Sequence, residues 1–161
     1  MPSAWRLTKT KYLPAAWDGE GARKAGGRWN EPGVAVVYTS GSLSLALVEV
    51  LVHLPSDILP AYSAVPIEFD EGLVTVVPPA DLPRTWKDNP PPPATQAIGS
   101  HWVAGGKTAM LRVPSVVVPG EWNFLLNPAH RDFARIRIGG AMAFPFDPRL
   151  LARAGAFSGY E

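Results

Sequence analysis

The sequence predicts a single α+β domain in which short strands surround one apolar helix, and three observations carry that prediction. Proline and glycine, at 18 and 15 residues, recur along the chain, so regular elements must be short and closed by turns. Brief runs rich in β-branched residues stand between those turns. One apolar stretch, Leu43 to Leu54, is long enough for a helix.

Val34 to Tyr38 reads as a buried strand between Gly33 and a turn at Thr39-Ser40-Gly41. Ser42 then stands as the N-cap of a helix over Leu43 to Leu54, which Pro55 stops because proline cannot continue the hydrogen bonding. Leu43, Leu45, Leu47, Val48, Val50, Leu51, Val52 and Leu54 make this helix apolar nearly all round, which predicts an interior position. Further strands are expected over Ala64 to Phe69, Leu73 to Val77, Ala109 to Val113, Ser115 to Val118 and Phe133 to Ile138. In the last, Ile136 and Ile138 alternate with Arg135 and Arg137, as in an edge strand with one buried and one solvated face. Asn89 to Pro93 reads as an extended, polyproline-like loop, since proline supplies no ladder donors. The domain is taken as residues 1–155, with 156–161 a loose terminus or an expression remnant.

Composition excludes several function classes. Apolar residues at 47% and charged residues at 18% are ordinary for a globular protein. The net charge of +1 comes from 15 basic and 14 acidic residues dispersed along the chain, too little field for direct nucleic-acid binding. Without cysteine there is no disulfide, thiolate metal site or cysteine nucleophile. No second histidine stands at ligand spacing to His53, and His101 and His130 are isolated, so no metal site is expected. No window reaches the roughly 18 apolar residues of a membrane span, and Met1-Pro2 leads into Trp5 and Arg6 without a leader pattern. The expectation is a cytoplasmic protein without a membrane partner.

Three places can carry chemistry. Gly21 to Asn30 sets Arg23, Lys24 and Arg28 beside a glycine pair, a loop that either receives an anion such as a pyrophosphate or is a solvated basic turn. Glu49 lies on the apolar helix, where a carboxylate must find a partner, titrate upward or face a cleft. At 100° per residue, Ser42, Glu49 and His53 share one polar stripe, which favours the cleft. Ser115, after Val113-Pro114, either faces a pocket or closes a turn. No serine stands in a Gly-x-Ser-x-Gly or Ser-x-x-Lys setting, so serine hydrolase chemistry has no support.

Gly26-Gly27-Arg28-Trp29-Asn30, then Val36-Val37-Tyr38-Thr39-Ser40, then Leu47 to Leu54 around Glu49 resemble the first signature of the RES domain family. Leu111 to Ser115, Glu121 to His130 with its asparagines, and Phe144 to Leu150 resemble that family's later blocks, in the same order. The likeness runs from about Trp5 to Leu150 and is loosest over Asp81 to Pro93.

The resemblance implies a compact domain akin to ADP-ribosyltransferase toxins. NAD+ would be its substrate, with no cofactor, and an Xre-type antitoxin with a helix-turn-helix domain would hold it inactive, in a complex that admits a homo-oligomer. It further implies cleavage of the nicotinamide–ribose bond by hydrolysis or phosphorolysis. The alternatives are mono-ADP-ribosylation of a cellular protein and a non-catalytic nucleotide-binding or antitoxin-docking module. Arg28, Tyr38 and Glu49 match the catalytic positions. Arg28 would pair with the phosphates, Tyr38 would stack on nicotinamide, and Glu49 would stabilise charge on the ribose. Arg6 and Ser115 would add substrate contacts.

Overall fold

The computed structural model describes residues 1–54 and 59–151. In chain order the elements are β1 (Ser3–Lys9), α1 (Glu20–Ala25), β2 (Val37–Ser40), α2 (Leu43–Leu51), β3 (Tyr62–Glu68), β4 (Val74–Val76), α3 (Pro93–Gly105), β5 (Met110–Pro114), β6 (Trp122–Leu126), β7 (Arg137–Ile138) and β8 (Met142–Phe144). The strands form one mixed sheet in the order β4-β5-β6-β2-β1-β3-β7, with β8 also pairing with β3. The β4–β5 pair is parallel. The pairs within β5-β6-β2-β1-β3 and the two at β7 and β8 are antiparallel.

Strand alternation sorts the core into two sides of this sheet. Ala4, Val37, Ile67, Met110, Phe124 and Leu126 pack on one side with Phe69, Leu73 and Ile136. On the other side, Tyr38, Leu111, Val113 and Leu125 meet Ile98, Trp102 and Val103 of α3. Leu7, Tyr62 and Ala64 meet Leu43, Leu47 and Val50 of α2. Both larger helices therefore cover the side that carries Tyr38.

The capping serine is where the sequence places it. Ser42 is extended, and its side chain accepts the N–H of Leu45. The helix itself differs from the prediction in two ways. It ends at Leu51, and Pro55 lies outside the described residues, as do residues 156–161. Only Leu45 and Ala46 are buried in it, and Val52 just beyond is 53% exposed, so α2 lies on the sheet rather than inside the domain. Its all-round apolar pattern overstates its burial.

Several strands also move. β2 begins three residues later than expected and absorbs the supposed turn. Thr39 and Ser40 stay in the ladder because the Thr39 hydroxyl donates to the Phe124 carbonyl and the Ser40 hydroxyl to Asn123 Oδ1. Ser115 to Val118 forms no strand. The chain turns there, with Ser115 Oγ accepting the N–H groups of Val117 and Val118 and Gly120 at φ 89° completing the return to β6. Of Phe133 to Ile138 only the last two residues make a strand, at the sheet edge, after a 3-10 turn over Phe133–Arg135. Ile136 enters the core while Ile138 is 42% exposed, so the predicted alternation fails.

β1, α1, α3, β6 and β8 lie outside the sequence expectation, and two of them show why. β1 lacks β-branched apolar residues, yet it sits between β2 and β3 with seven residues in register with β3, from Ser3↔Glu68 to Lys9↔Tyr62. The proline run hides the start of α3: Pro92 is its cap and Pro93 its first residue, where the missing N–H costs nothing. The fully buried residues of α3 are the small Thr95, Gly99 and Ser100, and Ile98, Trp102 and Val103 are the apolar side chains that flank them on the sheet. Gly106, at φ 62°, ends it by donating to the Trp102 carbonyl.

Candidate active site

α2 presents Glu49 towards the β5–β6 turn and the start of β6. The Ser115 hydroxyl donates to Glu49 Oε1 at 2.8 Å. Asn123 Nδ2 donates to the same oxygen, also at 2.8 Å. Asn123 is in turn fixed by Ser40, whose hydroxyl donates to Asn123 Oδ1 at 2.7 Å. Ser115 is buried and its lone pairs hold two backbone N–H groups, which leaves its single proton for the carboxylate. Ser115 therefore closes a turn, and that turn aims its hydroxyl at Glu49. Among the described residues Glu49 Oε2 has no hydrogen-bond partner, so the carboxylate is held by one oxygen and offers the other.

The polar stripe divides. Ser42 caps α2 and donates to Glu121 Oε1 at 3.3 Å, His53 is exposed, and only Glu49 enters the network. Asn123 and Ser40 are the residues that sequence reading missed as site members. The available signal was Asn123 itself, a polar residue between Trp122 and Phe124 in an otherwise apolar strand. Asn123→Ala leaves Glu49 with one donor, and we expect it to lower the unfolding free energy by about 1–3 kcal/mol, read from urea denaturation.

Tyr38 lies on the same strand face as Ser40, opposite Leu125 as Ser40 is opposite Asn123. Its hydroxyl donates to Asn30 Oδ1 at 2.6 Å and accepts the Trp29 N–H at 3.1 Å. Burial pushes this phenol far above its ordinary range, against smaller lowering effects from the Trp29 N–H and the Arg28 charge. Asn30, fully buried, donates onward to the carbonyls of Ala22 and Val34 at 3.0 Å each. The Tyr38 hydroxyl is thus the tether of the glycine-rich loop. Gly27 passes so close that a Cβ there would stand 2.6 Å from that oxygen.

The three cations of this loop do not converge. Arg23 pairs with Glu20 at 2.8 Å and Lys24 is exposed. Arg28 reaches a distant segment of the chain, with Nη1 donating to the carbonyls of Trp86 at 2.9 Å and Asp88 at 2.7 Å. Arg6 stands apart from Glu49 and Ser115. Its neighbours Trp5 and Leu7 pack towards α2, so its side chain projects to the other side of the sheet, 6.0 Å from the Trp17 ring. Its Nη1 donates to the Tyr38 carbonyl at 3.0 Å, and burial lowers its pKa to about 10.

Among the described residues no group of three or more His, Cys, Asp or Glu side chains is arranged to hold a metal ion. No helix among them is long and apolar enough to cross a membrane.

The fold defines a class first. It superposes on a chain in the crystal structure of the M. tuberculosis MbcT–MbcA toxin–antitoxin complex with a TM-score of 0.69, covering 96% of this chain and 88% of that one at 20% identity. Residues 3–147 match the RES domain model, and the chain belongs to the RES domain family. It is 38% identical to Toxin Res of Yersinia enterocolitica over 91% of this chain and 97% of the relative. It is 42% identical to the Prs ADP-ribosylating toxin of Sphingobium sp. strain YBL2, over 94% and 98% of the two chains.

Proposed function

We propose that this chain is the toxin of a bacterial toxin–antitoxin pair and that it breaks the nicotinamide–ribose bond of NAD+. The observation that carries this reading is the Glu49 carboxylate, clamped through Oε1 by Ser115 and Asn123, with Oε2 unpartnered among the described residues. Breaking the bond sends its electron pair to the ring nitrogen, so nicotinamide leaves neutral and positive charge develops on the ribose. A fixed carboxylate stabilises that charge, and the free Oε2 can accept the ribose hydroxyls. An acceptor oxygen then bonds to the ribose carbon and gives up its proton.

Arg28 supplies a permanent positive charge for the dinucleotide phosphates, and the Tyr38 ring supplies a flat surface for nicotinamide. Ser115 donates its proton to Glu49 and so orients that carboxylate, beside the substrate contact that the resemblance gives it. Arg6 supports the strand of Tyr38 through its carbonyl. The fold is read as ADP-ribosyltransferase-like. The partner is an Xre-type antitoxin with a helix-turn-helix domain, and the compartment is the cytoplasm.

The relative named an ADP-ribosylating toxin favours a second reading in which the acceptor is a protein. Three products distinguish the acceptors. Free ADP-ribose marks hydrolysis, ADP-ribose 1″-phosphate formed when phosphate is added marks phosphorolysis, and acid-precipitable label from NAD+ marked on the adenylate marks protein transfer. Our reading expects one of the first two from purified chain. Label on protein, with no soluble product, would move the assignment to a transferase. NAD+ binding without nicotinamide release in any of these conditions would identify a non-catalytic module instead.

A further inference from the structure

We infer that the segment between β4 and α3, through Trp86, is a built part of the NAD+ site that orients Arg28 for the diphosphate. This rests on the NAD+ reading above. The guanidinium carries five N–H donors. Both donors of Nη1 are taken by the carbonyls of Trp86 and Asp88, and no carboxylate among the described residues forms an ion pair with Arg28. What remains is the Nε–Nη2 edge, the side of the fork that meets two oxygens of a phosphate at once. Two carbonyls on one nitrogen fix the plane of that fork without consuming it.

The carbonyl pair is itself anchored. The Trp86 ring leans on the Trp29 ring with centroids 5.9 Å apart and planes at 35°. Trp29 is buried, and its N–H is bonded to the Tyr38 hydroxyl. From α3, Gln96 Nε2 donates to the Gly27 carbonyl at 3.0 Å. The residues on either side of Trp29 and the segment that grips Arg28 are therefore tied to the Tyr38 strand. Lys87 Nζ, 5.4 Å from the centroid of the Trp86 ring, adds a second cation to the same segment. Trp86 is thus a positioning residue, acting on the diphosphate through Arg28.

The opposite reading of the same contacts is that the carbonyls occupy Arg28 and must leave before substrate enters. The two differ in sign. In a Glu49→Gln background, where turnover is silenced, we expect Trp86→Ala to weaken NAD+ and ADP-ribose binding roughly tenfold by calorimetry. Trp86→Phe should restore most of it, and nicotinamide riboside, which has no phosphate, should bind the Ala variant and its parent alike. Unchanged or tighter NAD+ binding by Trp86→Ala would overturn the inference while leaving the NAD+ reading intact. An equal loss for nicotinamide riboside would also overturn it, since that marks general damage to the fold. Failure of the native chain as well as the Glu49→Gln parent to bind NAD+ or ADP-ribose would remove both.

Discussion

Gly99→Ala should destabilise this protein by about 3 kcal/mol, a fall in Tm of roughly 6–12 °C for a chain of this size. Gly99 faces the Trp29 main chain from α3, and an added Cβ would collide with the Trp29 carbonyl oxygen and crowd its carbonyl carbon at 2.9 Å. Both are backbone atoms, and Trp29 cannot shift alone. Its N–H is held by Tyr38, its ring by Trp86, and its neighbour Asn30 by three side-chain contacts to main-chain carbonyls. Relief must come from moving α3 off the sheet, which uncovers Leu125 and Val113. Gly105→Ala, in the last turn of the same helix with nothing within 4 Å of its Cβ, serves as the control. It should be neutral or stabilise by under about 1 kcal/mol. A calorimetric scan of the two variants checks the contrast, and equal melting temperatures would contradict the close packing of α3 on Trp29.

Glu49→Gln should reduce nicotinamide release at least about 100-fold while leaving NAD+ binding within a few-fold of native. The substitution keeps an oxygen that can accept from Ser115 and Asn123, so the network can survive. What it removes is the negative charge that the developing oxocarbenium needs. A ground-state contact would behave differently, since its loss would raise KM and leave kcat unchanged. Single-turnover release beside a binding isotherm separates these cases, and a variant that loses binding and release in equal measure would demote Glu49 to a substrate-binding residue.

The parts legible in the sequence are those fixed by local chemistry. The Ser42 cap, the start of α2, β3, β5 and the oddness of Glu49 all follow from residues a few positions apart. The rest depends on partners far along the chain. Asn123 and Ser115 reach Glu49 across 74 and 66 residues, and Arg28 reaches Trp86 and Asp88 across 58 and 60. Nothing in the spacing of those residues announces the meetings. β1 was hidden because its place in the sheet is secured by pairing with β3 rather than by β-branched composition. α3 was hidden because it buries small residues against a backbone. The family resemblance groups Arg28, Tyr38 and Glu49, and the structure adds the means by which each is held: Arg28 through the carbonyls of Trp86 and Asp88, Tyr38 through Asn30 and Trp29, and Glu49 through Ser115 and Asn123. It also separates Arg6, whose side chain turns to the other side of the sheet.

The central claim is that this chain cleaves NAD+, and the direct measurement is nicotinamide released from NAD+ by purified native protein freed of any antitoxin. The expected result is nicotinamide appearing in step with NAD+ loss and in proportion to enzyme, with phosphate either changing the second product or leaving it as ADP-ribose. Intact NAD+ after prolonged incubation with folded native chain, with phosphate and with a cell lysate as acceptor source, would contradict it.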